Sequence, residues 1–153
     1  MLLNTDKDVN ARIRRQKVLV IDDNLDSVKL MTHILDQQKC DIAMAFDGED
    51  SIPLLARESF DLVVIDWNMP VMNGRETLLM LDRLLDQRTI RLRGHNKLPI
   101  IIYSAHEDRD LDLPHCEHLE IIGYIHKQQS FSSIMKHCRN LMTDLAKTEN
   151  RAA

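Results

Sequence analysis

Three short runs of branched apolar residues, VLVI at 18–21, LVVI at 62–65 and PIIIY at 99–103, constrain this chain more than any other feature. Each run is continuous rather than alternating, which is the pattern of a strand covered on both faces. Between them the apolar period lengthens to that of a helix. Val28, Met31, Ile34 and Leu35 fall on one face of a segment opening near Asn24 or Leu25, and Leu78, Leu79, Leu81, Leu84 and Leu85 on one opening near Gly74. A weaker strand, CDIAMAF at 40–46, precedes an Asp47-Gly48 turn and a short helix over 49–58. LEIIGYI at 119–125 reads as a fifth strand. Phe131, Ile134, Met135, Cys138, Leu141, Met142 and Leu145 form the stripe of a last helix, with Ser130 or Ser132 as its cap.

Strands alternating with helices imply right-handed crossovers and a parallel sheet. The expected fold class is therefore α/β: a doubly wound, five-stranded parallel sheet with helices on both faces. A length of 153 residues suits one such domain, placed at 17–148, with a flexible extension at 1–16 and a short tail at 149–153. Residues 87–97 form a long, charged connection containing Gly94, of the kind that is functional or mobile.

Composition narrows the function classes. A formal net charge of −4 offers no footprint for nucleic acid, and the basic run Arg12, Arg14, Arg15 and Lys17 reads as a solvated lead-in to the first strand. Cys40, Cys116 and Cys138 have neither disulfide-framework nor zinc-site spacing, which fits a reducing cytoplasm. No stretch approaches the ~20 apolar residues of a membrane span, and no signal-peptide pattern opens the chain, so a soluble, cytoplasmic protein is expected.

In a doubly wound sheet, ligands bind beyond the carboxyl ends of the strands, at the point where strand order reverses. Asp22 and Asp23 end the first strand and Asp66 ends the third, so three carboxylates converge there. Two unit charges ~4 Å apart repel by roughly 4 kcal/mol at an effective dielectric of 20, and a hard divalent cation such as Mg²⁺ relieves them. Any one of these aspartates could simply cap a helix. Ser104 and Lys127, ending the fourth and fifth strands, raise the count to five convergent polar groups.

The stretches KVLVIDD at 17–23, DLVVIDWNMPVMNG at 61–74, PIIIYSA at 99–105 and GYIHK at 123–127 resemble the receiver domains of response regulators, over about Lys17 to Leu145. The resemblance implies a flavodoxin-like strand order of 2-1-3-4-5. It also implies that Asp66 is the phosphoacceptor, that Asp22 and Asp23 are the acidic pair for Mg²⁺, and that Asn68 offers its backbone carbonyl. Ser104 matches the switch hydroxyl, Lys127 the lysine that pairs with phosphoryl oxygens, and Tyr124 the aromatic that reports activation. The implied partners are a histidine kinase or histidine phosphotransfer protein and a downstream protein. The implied unit is a stand-alone receiver, monomeric or weakly dimeric, that catalyses only its own phosphorylation and dephosphorylation.

Several features depart from that family. Gln128 stands where a proline, commonly after a cis bond, is usual. Pro114 within EDRDLDLPHCEHLE predicts a short or broken fourth helix. His33, His95, His115, His118, His126 and His137 read as surface or packing residues. His106, two residues after Ser104, reads either as a side chain tuning water access or as a solvated helix-start histidine. Two other functions remain open at this point. A phosphohydrolase with an aspartyl-phosphate intermediate would need a second acid and a cap domain, neither of which is visible. A phosphorylation-independent scaffold would not need five intact site residues.

Overall fold

The computed structural model describes residues 14–152. The elements are β1 (Lys17–Ile21), α1 (Leu25–Gln37), β2 (Asp41–Ala45), α2 (Gly48–Arg57), β3 (Leu62–Ile65), α3 (Gly74–Asp86), β4 (Leu98–Ser104), β5 (Leu119–His126) and α4 (Phe131–Ala152). The strands form one parallel sheet in the order β2-β1-β3-β4-β5.

Continuous apolar strands are required here because both faces are covered. Leu19, Ile21, Val63, Ile65, Ile100 and Ile102 pack with Leu55 of α2 and Leu78, Leu81 and Leu85 of α3. Val18, Val20, Leu62, Val64, Ile101 and Tyr103 pack on the other face with Met31, Ile34 and Leu35 of α1 and Ile134, Cys138, Met142 and Leu145 of α4. Fully burying each such side chain contributes about 1.5–3 kcal/mol.

Helix starts follow local chemistry. Asn24 accepts from the Ser27 N–H at 2.9 Å and Asp47 from the Asp50 N–H at 2.8 Å. Asn73 and Glu76 form a reciprocal capping box at α3. Ser130 accepts from the Ser133 N–H at 3.3 Å ahead of α4.

Register in β5 is interrupted. Ile100 pairs with Ile121 but Ile101 pairs with Gly123, so Ile122 is an extra residue on that strand. Side chains alternate with a period of two, and one inserted residue moves everything after it to the other face. Tyr124 thereby joins Leu119 and Ile121 on the α2–α3 side, while Ile122 and Ile125 face α4.

Four expectations are corrected. Between β4 and β5 the described residues form no α-helix, only a 3₁₀ turn at Asp108–Asp110, and Leu111 and Leu113 cover the sheet in its place. α4 continues through Ala152, so residues 149–152, set aside as a tail, are its last turn. Arg14 and Lys17 are not merely a solvated lead-in, because they pair with Asp61 and Glu58. Arg12 and most of the expected extension, residues 1–13, lie outside the described residues. The 87–97 connection is anchored as well, by buried Ile90 and by Leu92 against the core.

Candidate functional site

Strand order reverses between β1 and β3, and the acids sit above that gap. Ile21 pairs with Ile65, so the residues that follow, Asp22 and Asp66, leave the sheet side by side. The Asp66 N–H donates to the Ile21 carbonyl at 2.9 Å and the Asp22 N–H to the Ala45 carbonyl at 3.1 Å. Both side chains are buried, whereas Asp23 is exposed, and carboxylate oxygens of all three lie within 4.8 Å of one another.

Lys127 follows β5 and reaches across β4 and β3. Its Nζ lies 2.6 Å from Asp22 Oδ2, an ionic contact with a poor hydrogen-bond angle, and 3.3 Å from Asp66 Oδ1. One ammonium does not balance this site. Burial, then the Asp22 charge, push the Asp66 carboxyl up to about 6 against the opposing effects of Lys127 and the Asn68 N–H. Asp22 is raised too, chiefly by burial, with Lys127 acting the other way.

Ser104 ends β4, buried, with its Oγ accepting the His106 N–H at 3.1 Å. The His106 ring is exposed and meets the Asn68 side chain, joining the loops after β3 and β4. Tyr124 is half-buried. It shares with Ser104, Ile102 and Leu111 the lining of a cavity of about 180 Å³. The structure thus brings Asp22, Asp23, Asp66, Asn68, Ser104 and Lys127 to one end of the sheet, with Tyr124 one cavity away. The peptide bond before Gln128 is trans, as are all others among the described residues.

The loop after Asp66 is held tightly. A Cβ on Gly74 would come 2.8 Å from the Asp66 carbonyl oxygen and from Trp67 Cα, so only glycine lets α3 start this close. The Gly74 N–H in turn donates to the Trp67 carbonyl at 2.8 Å. Val71 has φ +68° and is 82% exposed, a left-handed conformation that disfavours a branched residue.

Sequence reasoning passed over a second polar cluster, at the opposite end of the sheet. Asp61, immediately before β3, meets Arg14, Arg93 and the Lys17 N–H, with His95 and Glu149 beside it. Its members come from four separate segments, so no local spacing announces it.

Comparison with known proteins agrees with this architecture. The family model described as "Response regulator receiver domain" matches residues 18–139. The chemotaxis protein CheY of Pseudomonas aeruginosa is 32% identical over 96 residues, covering 61% of this chain and 70% of that protein. The sensory/regulatory protein RpfC of Xanthomonas campestris is 28% identical over 95 residues, covering 62% of this chain but 12% of that protein. The chain spans only 36% of the YcbL regulator of Bacillus subtilis and 33% of the CpxR regulator of Klebsiella pneumoniae. Among solved structures, chemotaxis protein CheY4 of Vibrio cholerae superposes with a TM-score of 0.61 at 19% identity, over 84% of this chain and 99% of that one. TrrA of Thermotoga maritima, solved with Mg²⁺ and BeF, gives 0.59 at 21% identity over 82% and 98%. With the family's model spanning most of its length and the 2-1-3-4-5 sheet beneath it, the chain belongs to the response regulator receiver domains of two-component signalling.

Proposed function

We propose that this receiver accepts a phosphoryl group on Asp66 from a histidine kinase or histidine phosphotransfer protein, in a Mg²⁺-dependent reaction, and signals by phosphorylation-dependent protein binding. The observation that carries this reading is the under-neutralised crevice, in which, among the described residues, the carboxylates of Asp22, Asp23 and Asp66 are opposed by Lys127 alone.

The donor set fits Mg²⁺. Three carboxylates and the Asn68 backbone carbonyl are hard oxygen ligands, and the raised Asp66 and Asp22 carboxyls mark a place where added positive charge is favourable. Bound there, Mg²⁺ would supply charge neutralisation for the phosphoryl oxygens. An Asp66 carboxylate oxygen attacks phosphorus while the P–N bond to the donor imidazole breaks, giving an acyl phosphate and a free histidine. Lys127 moves its ammonium from Asp22 and Asp66 to the phosphoryl oxygens, where a charge-assisted hydrogen bond is strongest. The chemistry of the site is the loading of Asp66 and the later hydrolysis of its acyl phosphate, which returns the free carboxylate.

Ser104 and Tyr124 carry the readout. The Ser104 hydroxyl, which accepts the His106 N–H, has its own O–H to donate to a phosphoryl oxygen, and the pocket it lines with Tyr124 gives the ring room to move inward. Such a switch needs differential contacts in its two states.

Incubation with acetyl phosphate and Mg²⁺ tests the reading by intact mass. Wild type should gain one phosphoryl group, and Asp66→Asn none. Undiminished labelling of Asp66→Asn would reassign the nucleophile, and an unlabelled wild type would leave a phosphorylation-independent scaffold as the better description.

A further inference from the structure

The amino end of the sheet holds a cluster that the proposed phosphorylation does not use. Asp61 is fully buried before β3, His95 lies in the 87–97 connection and Glu149 in the last turns of α4. Asp61 Oδ1, His95 Nε2 and Glu149 Oε1 are within 4.8 Å of one another. The His95 side chain is only 8% exposed. Its Nε2 is 2.9 Å from Glu149 Oε1 and 4.0 Å from Asp61 Oδ1, but the first contact is not a hydrogen bond and the second is too long to be one. Among the described residues this buried nitrogen therefore has no hydrogen-bond partner.

Both carboxylates are oriented from behind. Asp61 Oδ2 accepts the Lys17 N–H at 2.7 Å and lies 3.4 Å from Arg93, and Glu149 Oε2 accepts from the Gln16 side-chain amide at 2.6 Å. The remaining oxygen of each turns toward His95. Fixing one oxygen of a ligand so that the other is presented is what outer-shell groups do in metal sites. The position between these two inward oxygens is already cationic. The Arg14 guanidinium touches Asp61 Oδ1 and lies 3.4 Å from Glu149 Oε1, while its side chain remains 45% exposed and can swing into water.

We propose that Asp61, His95 and Glu149 form a Zn²⁺ site, with Arg14 as the internal cation that zinc displaces. One imidazole with two carboxylates is a donor set for zinc rather than for Mg²⁺, which prefers oxygen alone. Ligand atoms around tetrahedral zinc stand roughly 3.4 Å apart, given bonds of ~2.0–2.1 Å. The His95 separations of 2.9 and 4.0 Å bracket that value, and the three ligand atoms already lie within 4.8 Å of one another. Two carboxylates match the charge of the ion, and Arg93, which is part-exposed, stays on the far oxygen of Asp61 as a net positive charge screened by water. Zinc would then join the start of β3, the 87–97 connection and α4 while releasing the Arg14 side chain.

The test is Zn²⁺ titration by calorimetry with Mg²⁺ at saturation, which keeps the carboxyl-end acids occupied. A His115→Ala, His118→Ala background removes two other imidazoles. One Zn²⁺ should bind, weakened roughly tenfold or more by His95→Gln and by Glu149→Gln. Arg14→Ala should instead tighten binding, by about tenfold, because it removes the competing cation. Retained Mg²⁺ affinity serves as the check that each variant is folded. Equal zinc affinity in the parent and His95→Gln, or Arg14→Ala that leaves affinity unchanged or lower, would mean that the cluster is an ion-pair knot only.

Discussion

The two ends of β3 carry aspartates in opposite electrostatic circumstances. At the amino end Asp61 is enclosed by two guanidiniums and a backbone N–H, so its charge is matched. At the carboxyl end Asp66 shares one lysine with Asp22, and Asp23 stands close by. The contrast teaches how one strand serves both purposes. A satisfied carboxylate ties chain segments together, whereas an under-neutralised one stores repulsion that a cation or a covalent phosphoryl group can relieve.

The largest effect expected from that contrast is at the amino end. Asp61→Ala leaves Arg93 and the Lys17 N–H without the Asp61 carboxylate, and Arg14 with only Glu149 and the Arg93 carbonyl, and should cost about 3 kcal/mol. This sits at the low end for a broken buried pair because both arginines reach water. Urea denaturation should show the loss, and a change below about 1 kcal/mol would mean that the ion pairs contribute little.

At the carboxyl end the sign reverses. The Asp66 pKa, about 6 in the folded chain, stands above the ~3.9 of an unfolded one, so folded protein holds this proton more tightly. That stabilisation is complete below about pH 4 and is lost as pH rises through 6. Metal-free Asp66→Asn should therefore be more stable than wild type by about 2 kcal/mol at pH 7.5, the advantage vanishing near pH 4. Thermal melts in EDTA across that range would show a constant difference if burial and the neighbouring Asp22 charge did not disfavour the Asp66 carboxylate.

A smaller effect concerns transmission. Ser104→Ala should keep phosphorylation at Asp66 yet lose most of the amide chemical-shift change around Tyr124 on adding beryllofluoride, a coupling of about 1–2 kcal/mol. Shifts confined to the loops around Asp66 in wild type would indicate another output route. Smallest is the strain at Val71: Val71→Gly should raise stability by up to about 1 kcal/mol, since glycine accepts a positive φ. A destabilised variant would show that the valine packs better than its exposure indicates.

What was legible in the chain follows from how local each signal is. Strands covered on both faces must be continuously apolar, so VLVI, LVVI and PIIIY announced the sheet, while the apolar stripes announced the helices; the Asn24, Asp47 and Asn73 caps were seen only in the structure. The acids at the strand ends were readable because strand pairing alone brings Asp22 and Asp66 together. The extra residue Ile122 was not, since LEIIGYI scans as an unbroken strand and only Gly123 hints at irregularity. Pro114 signalled a disrupted helix between β4 and β5, but not that leucines in extended chain would replace it. The Asp61, His95 and Glu149 cluster depends on tertiary packing of distant segments, and there a histidine read as surface or packing becomes a buried, unsatisfied one.

The central claim, that the carboxyl end is the under-neutralised one and binds Mg²⁺ through its acids, is open to a direct measurement. Trp67, the sole tryptophan, follows Asp66 in sequence and packs partly against the core, so its emission reports on that carboxylate's surroundings. Titrating Mg²⁺ should give a saturable change in wild-type emission, weakened at least tenfold in Asp22→Asn and unaltered in His95→Gln. An unresponsive wild type, or an Asp22→Asn response equal to it, would contradict the account.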